Sequence, residues 1–360
     1  MSIHAGDILD LVKGTLLDLG PNSFQQIAQN LQSYAVMGTW LKKDRVTFDS
    51  GRGIQRNLMD RVNRRARHLG LMETDGAVLP DLMAQLNIPW RHAQSDYPIV
   101  YQTDILMNRG KALIFNVLKP RRAGCMIDLA DELEAKAWSC PAAANDTDPF
   151  GVPYYIVYNA TTGFNGGLPS DQTTVAGINL SNTRNFKNYT ANYADYGKSD
   201  LIPKMRTGMR KIGWKSPVGV PDYSGPNRDL RMYTDEAGVT AFENVGEAQN
   251  ENLGRDIASM SAGGNSVPDM KKDPSGDILF RKMPIEWIPQ LDDTSVYTAA
   301  TNPIYFIDHS TFTPVVLKGD FLRESDVEKV PGQHNVFRVF IDLTYNYLCF
   351  DRRRNAIFGK

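Results

Sequence analysis

From residue 6 to residue 42 the apolar positions recur near helical spacing. Ile8, Leu9, Leu11, Val12, Leu16 and Leu17 precede a Gly20-Pro21 break, and Phe24, Ile27, Leu31 and Tyr34 follow it. The pattern predicts a helix, a turn and a second helix. Two polar runs come next. DRVTFDSGRGIQRNLMDR, from Asp44, alternates Val46, Phe48 and Ile54 with charged or small residues, and IPWRHAQSDYPIV, from Ile88, is equally polar and extended. Both read as strands with one weakly apolar face. Between them Asp75-Gly76 is a turn signal, and Pro80 to Leu86 predicts a short helix.

A long helix is predicted from Asp104, a candidate N-cap, to Trp138. Leu106, Leu113, Val117, Ile127, Ala130, Leu133 and Ala137 form its stripe, and Pro120 predicts a kink or two helices meeting near Lys119. Residues 141 to 200 lack periodicity and read as loops, ordered by Tyr154, Tyr155, Tyr158, Tyr189, Tyr193 and Tyr196. Asp200 to Trp214 is a basic amphipathic helix, and a strand at Leu230 to Tyr233 leads into a helix from Asp235 to Asn250. Short strands are predicted at Ile278 to Met283, Ile285 to Ile288, Ile304 to Ile307 and Thr313 to Leu317. The clearest period of two lies in VFRVFIDLTYNYLC: Phe337, Val339, Ile341, Leu343, Tyr345, Tyr347 and Cys349 share one face, and Arg338, Asp342, Thr344 and Asn346 the other.

The two polar runs carry a geometric consequence. Fifteen extended residues reach ~50 Å, whereas a chain of this length has a radius of gyration near ~20 Å. A ribbon that projects so far cannot bury enough apolar surface to stand alone. The natural cover is another copy of the chain.

At 360 residues and 42% hydrophobic content the chain can bury a core, and its net charge of −1 gives no general affinity for nucleic acid or membranes. Charge is local instead: residues 44 to 67 hold Arg45, Arg52, Arg56, Arg61, Arg64, Arg65 and Arg67 against Asp44, Asp49 and Asp60. Such guanidinium groups suit phosphates or, as favoured here, carboxylates across a subunit interface. The candidate inter-subunit residues are Arg45, Arg52, Arg56, Arg61, Arg64 and Arg65, with Trp90 and Arg91 in the second run. Cys125, Cys140 and Cys349 lack metal or redox spacing and read as reduced thiols, and no signal peptide or membrane span is predicted, which places the chain in the cytosol.

Catalytic signatures such as GxSxG, the P-loop and HExxH do not occur, and no cofactor is expected. Asp308, His309 and Ser310 are sequence neighbours and read as a turn. His68 and His92 are too few for a metal site, and GFNGG at Gly163 to Gly167 is explained by a loop that needs positive φ.

The pair RVTFDSGRGIQRN and IPWRHAQSDYPI resembles the extended loop of the major capsid proteins of tailed double-stranded DNA bacteriophages, the Hong Kong 97-type coat fold. DILMNRGKALIFNVLKPRRAGCMIDLADELEAKAW resembles its spine helix, DLIPKMRTGMRKIGW with DLRMYTDEAGVTAF the start of its axial domain, and HNVFRVFIDLTYNYLCFDRRRNAIF its closing strand. The resemblance spans most of the chain. It implies an α+β fold divided into an N-terminal arm (1–43), an extended β-hairpin loop (44–100), a peripheral domain with the spine helix (101–140), an axial domain with a loop-rich insertion (141–310) and return strands (311–360). It further implies hexamers and pentamers closing into an icosahedral virion shell in the host cytoplasm, without an active site. Scaffolding, portal and decoration proteins are the implied partners, with packaged double-stranded DNA held by non-specific contact. No lysine-asparagine isopeptide pair is identified. The alternatives are an encapsulin-like compartment shell, an arginine-rich DNA-binding protein and, furthest from the pattern, an enzyme.

Overall fold

The computed structural model describes residues 34–42, 45–59, 82–106, 111–143, 146–181, 185–197, 199–213, 229–251, 270–272, 278–281, 283–293 and 299–360, with residues 66, 68, 70 and 183 singly. The helical segment predicted up to Leu31 lies outside them. Tyr34 begins the described chain, and Val36–Trp40 forms one wide helical turn closed by Leu41 N donating to Val36 O.

In chain order the first strands are β1 (Thr47–Asp49), β2 (Ile54–Met59), β3 (Met83–Ile88) and β4 (Arg91–Val100). Helix α1 (Lys111–Ala137) follows, then β5 (Tyr189–Asn192), α2 (Leu201–Ile212), β6 (Leu230–Thr234) and α3 (Glu236–Glu251). Three short strands, β7 (Met270–Lys272), β8 (Ile278–Phe280) and β9 (Met283–Trp287), precede β10 (Ile304–Asp308) and β11 (Phe312–Leu317). The chain continues through β12 (Arg323–Glu324), β13 (Glu328–Lys329), the long β14 (Val336–Cys349) and β15 (Ala356–Gly359).

Two sheets result. In the first, β14 is the spine: β4 runs antiparallel along it from Val336↔Val100 to Tyr345↔Arg91, while β11, β12 and β13 also pair with it and β1 joins β11 in parallel. The second runs β5-β15-β10-β6-β9-β8-β7. The hairpin β2-β3 belongs to neither.

The long predicted helix forms over Lys111–Ala137 and Pro120 does not divide it into two, but Asp104 does not cap it: Asp104 lies within a separate wide helical turn, Tyr101–Leu106, where its carboxylate accepts from Val100 N. Pro120 is exposed, so the carbonyl it leaves unpaired can meet water. The buried stripe on α1 is Leu118, Cys125, Leu129, Leu133 and Ala137, rather than one through Ile127 and Ala130. Strand β14 has its predicted alternation, yet its polar face is covered too. Asp342 receives Arg323, Thr344 donates to Asp320, and Asn346 Nδ2 donates to Pro89 O at 2.7 Å. Burial of Asp342, Thr344 and Asn346 is tolerable because each is paired, while the half-buried Arg338 sets its guanidinium 4.4 Å from the Phe340 ring.

The loop-rich region is ordered, as its tyrosines imply. Tyr154, Tyr155 and Tyr193 are fully buried. At its centre Arg352, with no exposed surface, donates from Nε to Tyr155 O (2.5 Å), from Nη1 to Phe186 O (3.0 Å) and from Nη2 to Gly167 O (2.9 Å) and Asn188 Oδ1 (3.2 Å). Burial pushes its pKa down to about 10, so the group stays charged at neutral pH, held by oxygen dipoles. Within GFNGG, Gly163 has φ +136°, and a Cβ on Gly166 would come within 1.8 Å of Asn188 Oδ1, so both glycines answer to local geometry.

Replacing Arg352 with Met would strand these acceptors in a dry interior. Arg352→Met is expected to lose ~3 to 5 kcal/mol of stability, with Arg352→Lys between it and the wild type. Urea unfolding within ~0.5 kcal/mol of wild type would refute the assignment.

Candidate functional site

The hairpin β2-β3 stands outside both sheets. Its strands pair antiparallel from Ile54↔Ile88 to Met59↔Met83, a ribbon of ~20 Å. Burial alternates along both strands: on one face Ile54, Leu86 and Ile88 are fully buried at the base, and on the other face the paired Met59 and Met83 are 57% and 58% exposed at the far end. An exposed cross-strand methionine pair is an adaptable apolar contact surface. Most residues from 60 to 81 lie outside the described set, including the Asp75-Gly76 turn signal.

The return strand of this hairpin differs from the prediction. The partner of β2 is β3, where a short helix over Pro80 to Leu86 is expected from the sequence. The run from Ile88 supplies only its first residue to the arm, and Arg91–Val100 enters the first sheet against β14. Met83, Ala84 and Leu86 favour helix locally, but cross-strand pairing decides the outcome.

The base is braced from several directions. Gly51 turns the chain between β1 and β2 at φ +116°, and Trp90 Nε1 donates to its carbonyl at 2.9 Å. Arg56 on β2 reaches Asp49 on β1 at 2.8 Å, and Asn87 N donates to Ala176 O at 2.9 Å. Arg45 pairs with Asp229 at 2.8 Å, and Arg231 joins Asp229 to Glu286 on β9. The root of the arm is thereby tied to the second sheet.

The eight residues singled out in the sequence thus separate. Arg45, Arg56 and Trp90 have partners in their own chain. Arg52 is exposed beside the Gly51 turn. Arg91 lies on β4 with its guanidinium 5.7 Å from the Phe150 ring; burial lowers its pKa, against the pull of Asp146 and Asp148. Arg61, Arg64 and Arg65 lie outside the described residues. The Met59/Met83 pair went unnoticed because neither position stands out in a polar run.

A second unforeseen feature is Glu134 on α1, which has no exposed surface. Its Oε1 accepts Val36 N at 2.5 Å and Met37 N at 3.2 Å, so one carboxyl holds the wide turn that opens the described chain against the spine. Tyr34 donates to Asp131 one turn away. The second oxygen, Oε2, has no hydrogen-bond partner among the described residues. Burial, offset in part by the two N–H donors and assisted by Asp131, raises the Glu134 pKa from an ordinary 4.5 to about 8.

The candidate chemistry resolves into structure. His309 is buried and its pKa is pushed down to about 3, so the ring is neutral; its Nε2 is hydrogen-bonded to Tyr233 Oη at 2.8 Å, and Trp40 Nε1 donates to the same hydroxyl at 3.0 Å. Ser310 Oγ instead donates to Asp308 Oδ1 at 2.6 Å. The three neighbours form a turn and not a relay. His92 Nδ1 lies 2.8 Å from Thr344 Oγ1, and among the described residues no group of three His, Cys, Asp or Glu could hold a metal. Cys125, Cys140 and Cys349 are free thiols. A polar cleft of about 380 Å³ between α1 and β4 is lined by Asp128, Glu132 and Lys136, the last already paired with Asp148 at 2.8 Å. No described helix is long and apolar enough to cross a membrane.

No family model and no curated protein matches this chain. Solved structures do, along nearly its whole length. The capsid asymmetric unit of cyanophage A-1(L) is similar with a TM-score of 0.59 at 13% identity, covering 95% of this chain and 96% of that one. The capsid of a native GTA particle is similar with a TM-score of 0.50 at 12% identity, covering 95% of each. An encapsulin complex of Synechococcus elongatus gives 0.48 at 8% identity, covering 100% and 96%. The chain therefore has the α+β Hong Kong 97-type coat fold of phage capsid proteins.

The Glu134 shift fixes the sign of a pH effect. Above pH 4.5 the unfolded chain loses a proton that the folded chain keeps until about 8, so stability from this group falls across that window and then levels. Glu134→Gln, which keeps an acceptor for Val36 and Met37, should flatten the decline and exceed wild type by a few kcal/mol at pH 8. Parallel pH slopes in thermal unfolding of the two proteins would remove Glu134 from this role.

Proposed function

We propose that the chain is the major capsid protein of a tailed double-stranded DNA bacteriophage, building hexamers and pentamers of an icosahedral shell that encloses the genome. The observation that carries the reading is likeness in fold to a cyanophage capsid unit along 95% of this chain, combined with a hairpin that belongs to neither sheet and exposes more than half of Met59 and of Met83. The subunit divides into an N-terminal arm (1–43), an extended loop (44–100), a peripheral part around the spine helix (101–140), an axial part (141–310) and return strands (311–360).

In this reading each hairpin lies on a neighbouring copy, presenting Met59 and Met83, with Arg52, Arg61, Arg64 and Arg65 setting register against acidic groups there. Arg45, Arg56, Trp90 and Arg91 hold the base rigid so that the outer end arrives at a fixed angle. An exposed ion pair contributes only ~0.2 to 1 kcal/mol, so buried apolar area supplies most of the adhesion, multiplied around closed rings. Scaffolding, portal and decoration proteins are further partners, and packaged DNA is touched without sequence preference. The place of action is the virion, assembled in the host cytoplasm.

The rival on the same fold is a compartment shell with protein cargo. Negative-stain microscopy of the expressed chain, followed by assay of particle contents for DNA or protein, separates the two. Replacing residues 57–85 with a short Gly-Ser turn keeps Ile54, Arg56, Leu86 and Ile88 at the base. The variant is expected to fold with near-normal thermal stability and to form no closed particles. Normal shells from it would defeat the proposed role of the hairpin.

A further inference from the structure

The second sheet carries two helices on one face, and their charges are segregated. Helix α2 packs Leu201, Ile202, Met205 and Ile212 over β5 and β15, and Gly208 admits the Phe358 and Tyr189 rings so closely that a Cβ would meet Phe358 at 2.7 Å. Helix α3 packs Phe242 into the same core and lies over β9. Tyr196 reaches between them, 6.3 Å from the Phe242 ring. Because the sheet order is β5-β15-β10-β6-β9-β8-β7, the helices sit toward opposite ends of it.

Their sequences divide the charge almost completely. Helix α2, LIPKMRTGMRKI, holds Lys204, Arg206, Arg210 and Lys211 and no acid; α3, EAGVTAFENVGEAQNE, holds Glu236, Glu243, Glu247 and Glu251 and no base. Arg210 and Lys211 are exposed, as are Glu236 and Glu243. In a chain of net charge −1, one of the two helices is thus basic and the other acidic.

A closed ring of identical subunits needs a head-to-tail contact between two different, complementary patches. We propose that α2 of one copy faces α3 of the next around each capsomer, the exposed Arg210 and Lys211 meeting Glu236 and Glu243. The inference rests on the shell reading above and adds the contact that orders subunits within a ring. Opposite charges on the two helices favour this arrangement and oppose α2 meeting α2 or α3 meeting α3, which would set like charges together. The competing use of α2, contact with packaged phosphates, would leave the purely acidic face of α3 without a role.

Three variants test it: Arg210→Glu with Lys211→Glu, Glu236→Lys with Glu243→Lys, and all four together. All positions are exposed, and thermal unfolding checks that each variant folds. In low salt each two-site reversal should raise the unassembled fraction in sedimentation at least tenfold, and the fourfold exchange should restore assembly toward wild type. Failure of the fourfold exchange to improve on either reversal would overturn the contact. So would normal capsomers from the α2 reversal with reduced nucleic-acid content, which would assign α2 to DNA. A wild-type chain that forms no particle at all would instead remove the shell reading itself.

Discussion

Everything in this molecule converges on Trp40. Its indole lies 5.5 Å from Trp138 at the end of α1, 5.8 Å from Tyr233 of the second sheet, and 5.6 and 5.9 Å from Phe312 and Tyr347 of the first. Edge-to-face aromatic packing of this kind is directional, and each pair adds ~0.5 to 1.5 kcal/mol beyond the area it buries. The hydrogen bond from Trp40 through the Tyr233 hydroxyl to neutral His309 fixes orientation as well as distance. Spine helix, both sheets and the turn preceding the hairpin therefore hold one geometry.

Polar groups inside the protein follow the same economy. Arg352 organises a loop region that has few backbone ladders of its own, and Glu134 satisfies two N–H groups of the wide turn at Val36–Trp40. In each case one long side chain from a regular element supplies hydrogen bonds that irregular backbone cannot make for itself. The cost is a charge or a proton held away from water, seen in the lowered pKa of Arg352 and the raised pKa of Glu134.

Much of this fold was legible where local pattern and final burial agree. Helices α2 and α3 and the alternation of β14 follow from periodicity, and the strands β6, β10 and β11 from short runs of strand-favouring residues; β10 is buried on both faces. Where the decisive contact is distant, the pattern says less. Strand β4 looks like a ribbon strand, and nothing in its alternation reveals that its partner is β14, more than two hundred residues on. Strand β3 carries helix-favouring residues and owes its conformation to β2. Among the site residues, Arg45 and Arg56 were marked by charge, but their partners Asp229 and Asp49 emerge only in three dimensions. Glu134 looks like a solvated acid on a helix, so its burial was not readable at all.

The order in which the sheets close bears on how the protein is made. Strand β14 is the spine of the first sheet and β15 is inserted between β5 and β10 in the second, joined to β14 by the short Arg352–Arg354 turn. Both belong to the segment translated after every other described strand. A ribosome-bound chain that has not yet released this segment lacks the central strand of the first sheet and the strand that ties β5 to the rest of the second. Closure of both sheets thereby waits on one late segment: a polypeptide abandoned before it holds the pieces of two layers without the strands that join them.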